Sequence, residues 1–300
     1  GVGVSVAIAA TIANNEIGNF VNASIRNASN VTASAGNASL AGIAIAAQQA
    51  ADIDSVAVSA AIAAAVAPIG ISFSGAGTSA MNTITSVINA SIEDSVSVTS
   101  GGALDITADS DSSISSRIAV AALSASLVAA AGGVTISKNT ISDTVTAKVT
   151  DTTLKANVGD IAIAASSTPT TDTVAVAVAL AAGIGASAAV VTAQEDIESN
   201  VNAFVDSSDL TASQGNLRVE ATSEASVDPD VVGASVGAVS VGVIDYVANI
   251  SGSTNAYVTG ANRTSAAGKI DILATDVSTA SPNITQVSVG LLTVGTINVT

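Results

Sequence analysis

The chain contains no cysteine and no histidine, and aromatic residues make up only 2% of its 300 residues. Without cysteine it has no disulfide framework and no thiolate metal site, and without histidine it lacks the commonest general base. Its 8 basic residues face 24 acidic ones, a formal net charge of −16, so no basic surface can neutralise phosphates. These absences exclude nucleic-acid binding and argue against an enzyme.

Hydrophobic residues are 48% of the chain, yet they are almost all Ala, Val and Ile. A wide globular core needs large side chains to fill its depth, whereas small ones suit closely spaced backbones. Much of the rest is Ser, Thr, Asn and Gly, which favour turns and pleated faces over helices. The composition therefore predicts an all-β protein with a thin core.

Residues 174–193 carry no charge and have the length of a membrane span. Their first half alternates Val and Ala strictly, which puts all the larger side chains on one face of a strand. Similar stretches elsewhere are rich in Ser and Gly and have few basic residues to anchor their ends. We therefore predict buried strands and no transmembrane segment.

A repeat runs through the whole chain, and two short motifs mark it. The first motif occurs as VNASI, INASI, VTAKV, VNAFV and TNAYV, beginning at residues 21, 88, 145, 201 and 254. The copies are thus 67, 57, 56 and 53 residues apart. The second motif follows each time as a Gly-led apolar strand, for example VGDIAIAA around Ile161. An amide or carboxylate precedes the first motif at Asn15, Asn82, Asn139 and Glu195, with Asn249 one residue out of step.

The amide position gives the repeat boundaries that we expect. Residues 1–14 would be the end of a truncated repeat. The repeats would then span residues 15–81, 82–138, 139–194, 195–248 and 249–300, the last nearly complete. Because both ends of the sequence fall inside apolar strand stretches, we expect its end strands to need neighbours.

Short strands, turn residues and the repeat together predict a parallel β-solenoid, in which each unit buries its face on the next. The sequence leaves the number of coils per copy open, and two or three are favoured over one wide coil. A one-coil copy would stack Asn22, Asn89, Asn202 and Asn255 into an amide ladder, interrupted by Thr146. Pro169, Pro229 and Pro282 fall in a polar tip, while Pro68 lies inside an apolar stretch.

The repeats resemble the arrays of giant bacterial surface proteins, the filamentous-haemagglutinin-like and leukotoxin-type filamentous adhesins. The resemblance rests on the V-x-A-x-V, L-T-A, G-D-I-x-I-x-A and A-V-A-V-A sequences and covers the whole chain. It implies a right-handed parallel β-helix, secretion across an outer membrane and a role in adhesion or fibre formation. It transfers no catalytic residue.

Acidic clusters are the best candidates for a cofactor site, because oxygen ligands two residues apart on turns can hold calcium. The candidates are Asp105, Asp109 and Asp111, and Glu195, Asp196 and Glu198. None of them matches the EF-hand or the nonapeptide calcium spacing, and the alternative is that these carboxylates are solvated turn residues. We expect no cofactor other than weakly held calcium.

Two further chemistries remain open. Glycosylation sequons crowd at Asn22, Asn27, Asn30 and Asn37. Paired carboxylates on a β-helix could also serve a polysaccharide-degrading enzyme. That enzyme would need aromatic sugar platforms, and Phe204 and Tyr257, at equivalent repeat positions, are better explained as packing residues.

The sequence thus favours a structural repeat segment of an extracellular fibre or of an adhesin stalk at the cell surface, a spacer or filament shaft. Its partners would be flanking repeats or copies of itself. A carbohydrate- or surface-binding module is the alternative, with a cell-surface glycan as its partner.

Overall fold

The computed structural model describes residues 1–34, 42–261 and 263–300, and within these ranges it contains strands and no helix. The first eight strands are β1 (Val2–Arg26), β2 (Val31–Ala33), β3 (Ile43–Ala64), β4 (Ile69–Glu93), β5 (Val98–Ser100), β6 (Leu104–Thr150), β7 (Thr153–Ala156) and β8 (Ile161–Ser167). The others are β9 (Thr170–Asp206), β10 (Asp209–Ala212), β11 (Leu217–Val236), β12 (Val239–Thr259), β13 (Thr264–Ala266), β14 (Ile270–Ala280), β15 (Asn283–Val289) and β16 (Leu292–Val299). Every pairing among them is parallel, which confirms an all-β, solenoid-like fold.

Each strand pairs with the equivalent strand of the next copy of the repeat. In the ladder through the first motif, Asn22 lies beside Asn89, which lies beside Thr146, followed by Asn202 and Asn255. Cross-coil side-chain contacts span 67, 57, 56 and 53 residues, the spacings of the motif itself. One copy therefore makes one wide coil. The expectation of two or three coils per copy is wrong, because single strands run for more than 20 residues and two of them fill most of a copy.

A coil has two long faces and one short face. In the first coil, β1 forms face I, β2 forms the short face and β3 returns along face II, against β1. Face I contains β1, β4, β6 from Val128, β9 from Ile184, β12 and β16. Face II contains β3, the first part of β6, β8 with the first part of β9, β11, and β14 with β15. The short face, β2, β5, β7, β10 and β13, is a separate five-stranded sheet.

The short face makes one end of the coil wide, and a repeated corner builds it. After each of the first five face I strands one residue adopts a positive φ, between 49° and 62°, which turns the chain onto the short face. These residues are Asn27, Asp94, Asp151, Ser207 and Gly260. Asn, Asp and Gly tolerate this conformation best, so the corner explains why such residues recur there.

Large aliphatic side chains fill this wide end. Ile88, Leu104, Ile106, Ile161 and Ile163 have no solvent exposure. They point inward from both long faces and meet the short face, whose Val98 and Leu154 are equally buried. Three converging faces leave a space that only long side chains can fill at normal packing density.

At the opposite, thin end the two long faces meet directly, and in residues 174–180 the arrangement of side chains is inverted. Ala175, Ala177 and Ala179 point inward and are fully buried, whereas Val176 and Val178 point outward. A methyl group added at Gly133 would lie 3.1 Å from Val120 Cγ1 and 3.2 Å from the Val178 carbonyl oxygen. Opposite Gly133 the interior has little room for larger side chains, and residues 174–180 form a strand as predicted, but with their valines on the outer surface.

Two other expectations are corrected at this level. Pro68, placed within an apolar strand by the sequence, lies in the thin-end turn between β3 and β4. Pro229 lies inside β11 and not in a separate tip, while Pro169 and Pro282 sit at short breaks in face II. In the part of the chain that the structure describes, no helix has the length and apolar character of a membrane span.

Candidate interaction surface and buried polar groups

Face I carries a continuous apolar surface at the thin end, which we call the apolar patch. It consists of the outward side chains of the first half of each face I strand. Its largest members are Val4, Val6, Ile8, Ile12, Ile71, Phe73, Val128, Val134, Ile136, Ile184, Val239, Val241, Leu292 and Val294. Ile8 is 83% exposed and Ile184 is 71% exposed. Exposed apolar surface on this scale is typical of an interaction site.

The patch has a shallow depression near its centre. Its floor is made of small residues, Ala130 and Gly132 on β6 and Ala186 and Ala188 on β9, and Phe73 and Val241 are on its rim. Its volume is about 390 Å³. The patch is therefore not uniformly flat, and a side chain of aromatic or branched aliphatic size fits the depression.

Charges surround the patch but do not enter it. Along each face I strand the outward residues are uncharged until Glu16 on β1, Lys138 on β6, Asp196 on β9 and Asp245 on β12. Most of the acidic residues on the outer surface of face II also lie toward the wide end, among them Asp52, Asp105 and Asp109. The coil cross-section is thus amphipathic, with an apolar thin end and an acidic wide end.

Inside the coil, the amide positions found in the sequence form a hydrogen-bonded column. Asn15 Nδ2 donates to Asn82 Oδ1 at 2.8 Å, and Asn82 Nδ2 donates to Asn139 Oδ1 at 2.7 Å. Asn139 Nδ2 then lies 3.2 Å from both carboxylate oxygens of Glu195. The next residue in register is Ala248, so Asn249 is outside this column. The repeat signal detected in the sequence is therefore a buried polar ladder that fixes strand register.

Glu195 ends this column as a fully buried carboxyl group. It accepts hydrogen bonds from Thr173 Oγ1 and Asn139 Nδ2. Burial nevertheless raises the pKa of Glu195 to about 7, opposed by those hydrogen bonds and assisted by the charge of Asp196. Glu195 is therefore partly protonated near neutral pH.

A second buried carboxyl group separates the two apolar cores. Asp143 lies between Ile141, in the thin-end core, and Val145, in the wide-end core. Its oxygens accept from Ser110 at 3.0 Å and from Ser112 at 3.1 Å, and Ser167 is 3.3 Å away. Burial raises the pKa of Asp143, with the serine hydrogen bonds opposing the rise.

A surface groove with a volume of about 1130 Å³ lies at the wide end. Asp105, Asp160 and Asp271 line it together with Arg218 and Lys269. Burial and the neighbouring Asp160 charge raise the pKa of Asp105. Such a mixed-charge groove can hold a polar, hydroxyl-rich ligand, although no aromatic ring lines it within the described residues.

The predicted calcium ligands do not all meet. Glu195 points into the core whereas Asp196 and Glu198 point outward, so Glu195 cannot share an ion with them. This separation corrects that cluster, because neighbouring residues of a strand face opposite sides. Asp105, Asp109 and Asp111 share the outer surface of face II. No group of three or more carboxylates placed to bind a metal occurs in residues 1–34, 42–261 and 263–300.

Three of the four predicted glycosylation sites, Asn22, Asn27 and Asn30, lie in the first coil. Asn22 points outward and accepts a 2.9 Å hydrogen bond from Asn89 Nδ2, part of the outer amide ladder that one coil per copy requires. Asn27 forms the corner and is exposed, as is Asn30. Asn37 falls outside the described residues.

Phe204 and Tyr257 stack on each other across two coils, with ring centroids 5.1 Å apart and planes at 7°. The two rings pack against each other, as predicted, but they lie on the outer surface of face I, where Tyr257 is 42% exposed. The inverted thin end, in contrast, was not found from the sequence. A signal existed within β9. The alanines at 175 and 177 have the same odd parity as the inward Glu195, whereas Val176 and Val178 have the opposite parity.

A scan against protein-family models and searches of curated proteins and of solved structures found no match to this chain.

Proposed function

We propose that this chain is a structural segment of an extended β-solenoid, a spacer or filament shaft of a fibre or surface adhesin, wound as a right-handed helix of five imperfect repeats. The observation that carries the proposal is the in-register stacking of successive coils along both long faces. Every coil supplies the backbone partners of the next, at strand spacings of about 4.8 Å.

The end strands of the stack have open edges. Among the described residues, β1 and β3 have a strand partner on one side only. Inward residues of β1 such as Ala7, Ala9 and Ile17 are accordingly only partly buried. Open edges of this kind are templates for another strand, from a flanking repeat or from a second copy.

Fibre diffraction of assembled protein tests the shaft. We expect filaments with a reflection at about 4.8 Å along the filament axis, because the coils stack in that direction. Strands lying parallel to the filament axis, or a chain that forms no axial assembly at any concentration, would contradict the proposal. Surface labelling of producing cells tests the extracellular location that the proposal includes.

A glycan-binding module is the second candidate, and the wide-end groove favours it. Asp105, Asp160 and Asp271 offer acceptors there, and Arg218 and Lys269 offer donors. Glycan-array binding that is lost in Arg218→Ala and retained in Lys138→Ala, outside the groove, would establish this function. Calcium titration of the same samples tests whether the face II carboxylates contribute.

A further inference from the structure

We propose that the apolar patch is an interface between two copies of this chain, in which the thin ends overlap and the acidic wide ends point in opposite directions. The contact is side by side, whereas the shaft grows end to end. The inference therefore goes beyond the proposed function and can hold or fail independently of it.

The size of the patch meets the requirement of a stable dimer. It extends over about five outward positions of each strand and six strands of face I, roughly 30 Å by 25 Å at normal strand dimensions. Pairing two such surfaces would bury on the order of 1,500 Å² in total, which is the area of a standard protein interface.

The surface shape of the apolar patch is complementary to that of a second copy. Rows of side chains follow one another at the strand spacing, and only another stacked β-surface presents rows with the same spacing. Phe73 and the branched residues of β12 project beside a floor of Ala and Gly. Two copies thus offer both the projections and the depression that can receive them.

The charge distribution selects the orientation and disfavours a lipid surface. Because acidic residues concentrate toward the wide end, an overlap restricted to the thin ends keeps the two sets of carboxylates apart. Anionic lipid would meet Glu16 and Asp245 at the border of the patch, with Lys138 as the only base beside it on the described face I strands. The chain also has no tryptophan, the residue most typical of a membrane interface.

A matched pair of charge substitutions tests the interface. Ala188→Glu places a carboxylate in the floor of the patch, and Ala121→Glu places one on the outer surface of face II, at an equally outward position. In sedimentation velocity we expect Ala188→Glu to weaken dimerisation by about a hundredfold, since an unpaired charge would be buried. Ala121→Glu should dimerise as the wild type does, and circular dichroism should show both variants folded. A monomeric wild type, or equal effects of the two substitutions, would overturn the proposal.

Cysteine cross-linking separates side-by-side from end-to-end contact. The chain has no native cysteine, so Ala188→Cys introduces a single thiol in the interior of the stack, between β6 and β12. A short bis-maleimide should link two such copies but not two copies of Ala121→Cys. Cross-linking of both variants, or of neither, would contradict the proposal that the apolar patch is the interface between two copies. Binding of the wild type to neutral phosphatidylcholine vesicles in place of dimerisation would identify lipid as the occupant and overturn the proposal.

Discussion

Side chains alternate between inward and outward at both the thin and the wide end of the coil, but the larger apolar residues point inward at the wide end and outward on the thin-end strand at residues 174–180. At the wide end, Ile163 and Leu104 point inward and Asp105 points outward. At the thin end, Ala177 points inward and Val176 points outward. A third face holds the long faces apart at the wide end, whereas they meet directly at the thin end. The separation of the sheets, and not hydrophobicity alone, therefore decides which residues are buried.

The largest effect is expected from removing a wide-end core residue. Ile163→Ala should lower the free energy of unfolding by about 3 to 4 kcal/mol, because three converging faces cannot collapse onto the cavity. Ile62→Ala, at an outward thin-end position that is 70% exposed, should cost less than about 1 kcal/mol. Urea unfolding of both variants measures the difference, and equal losses would show that the two ends do not differ.

The buried carboxyl of Glu195, which lies between Ala193 and Ile197 in the thin-end core, makes stability depend on pH. The pKa of Glu195 is about 7 in the folded chain against an ordinary value of 4.5, so the folded state holds the proton more tightly. The contribution of this proton to the free energy of unfolding is fully present below pH 4.5. It is lost as the pH rises toward 7, and the free energy of unfolding falls by about 3 kcal/mol over this range.

Glu195→Gln removes this titration and should flatten most of the decline seen in urea unfolding from about pH 4 to about pH 8. Asp143, whose pKa is also raised by burial, leaves a residual slope. Glu198→Gln, on the outer side of the same strand, is the control and should leave the decline intact. A wild type whose stability rises over this range would refute the account.

Adding volume at the thin end should distinguish its two sides. Ala177→Val inserts two methyl groups between directly opposed sheets and should destabilise the chain by about 1 to 3 kcal/mol. Ala121→Val adds the same groups on the outer surface and should be neutral or slightly stabilising, because Val favours strands. Thermal unfolding of the two variants makes the comparison, and an unchanged midpoint for Ala177→Val would mean that the sheets have room to separate.

The smallest effect concerns the wide-end corner. Ser207 has a φ of 50°, a conformation that Gly260 adopts in the next coil without cost to a side chain. Ser207→Gly should raise the free energy of unfolding by about 1 kcal/mol, and Gly260→Ser should lower it by a similar amount. Chemical denaturation of the two variants measures both changes. If both substitutions changed the free energy of unfolding in the same direction, the positive φ of the corner would not be their cause.

Much of the fold could be predicted from the sequence through spacing. The Asn15, Asn82 and Asn139 positions and the motif at Val21 and Ile88 gave the pairing distances, because in-register parallel stacking places equivalent residues side by side. The width of the coil could not be predicted this way. A copy of the repeat has the same length whether it winds once or three times, and only long-range pairing distinguishes the two.

The candidate sites were predictable to a lesser degree. The contact between Phe204 and Tyr257 was predictable because their repeat positions coincide, whereas their place on the outer surface was not. Glu195 was grouped with Asp196 and Glu198 because they are close in sequence, although the strand points Glu195 into the core. The apolar patch was missed since its residues come from six strands that are distant in the chain.

By itself, the sequence determined that this protein is a stack of strands with a two-residue alternation and a repeat distance of 53 to 67 residues, because side-chain parity and motif spacing can be read along the chain. Only the tertiary structure decided which set of alternating side chains faces inward. An alternating Val-Ala strand is equally regular in both orientations, and the choice depends on how far away the opposite sheet lies.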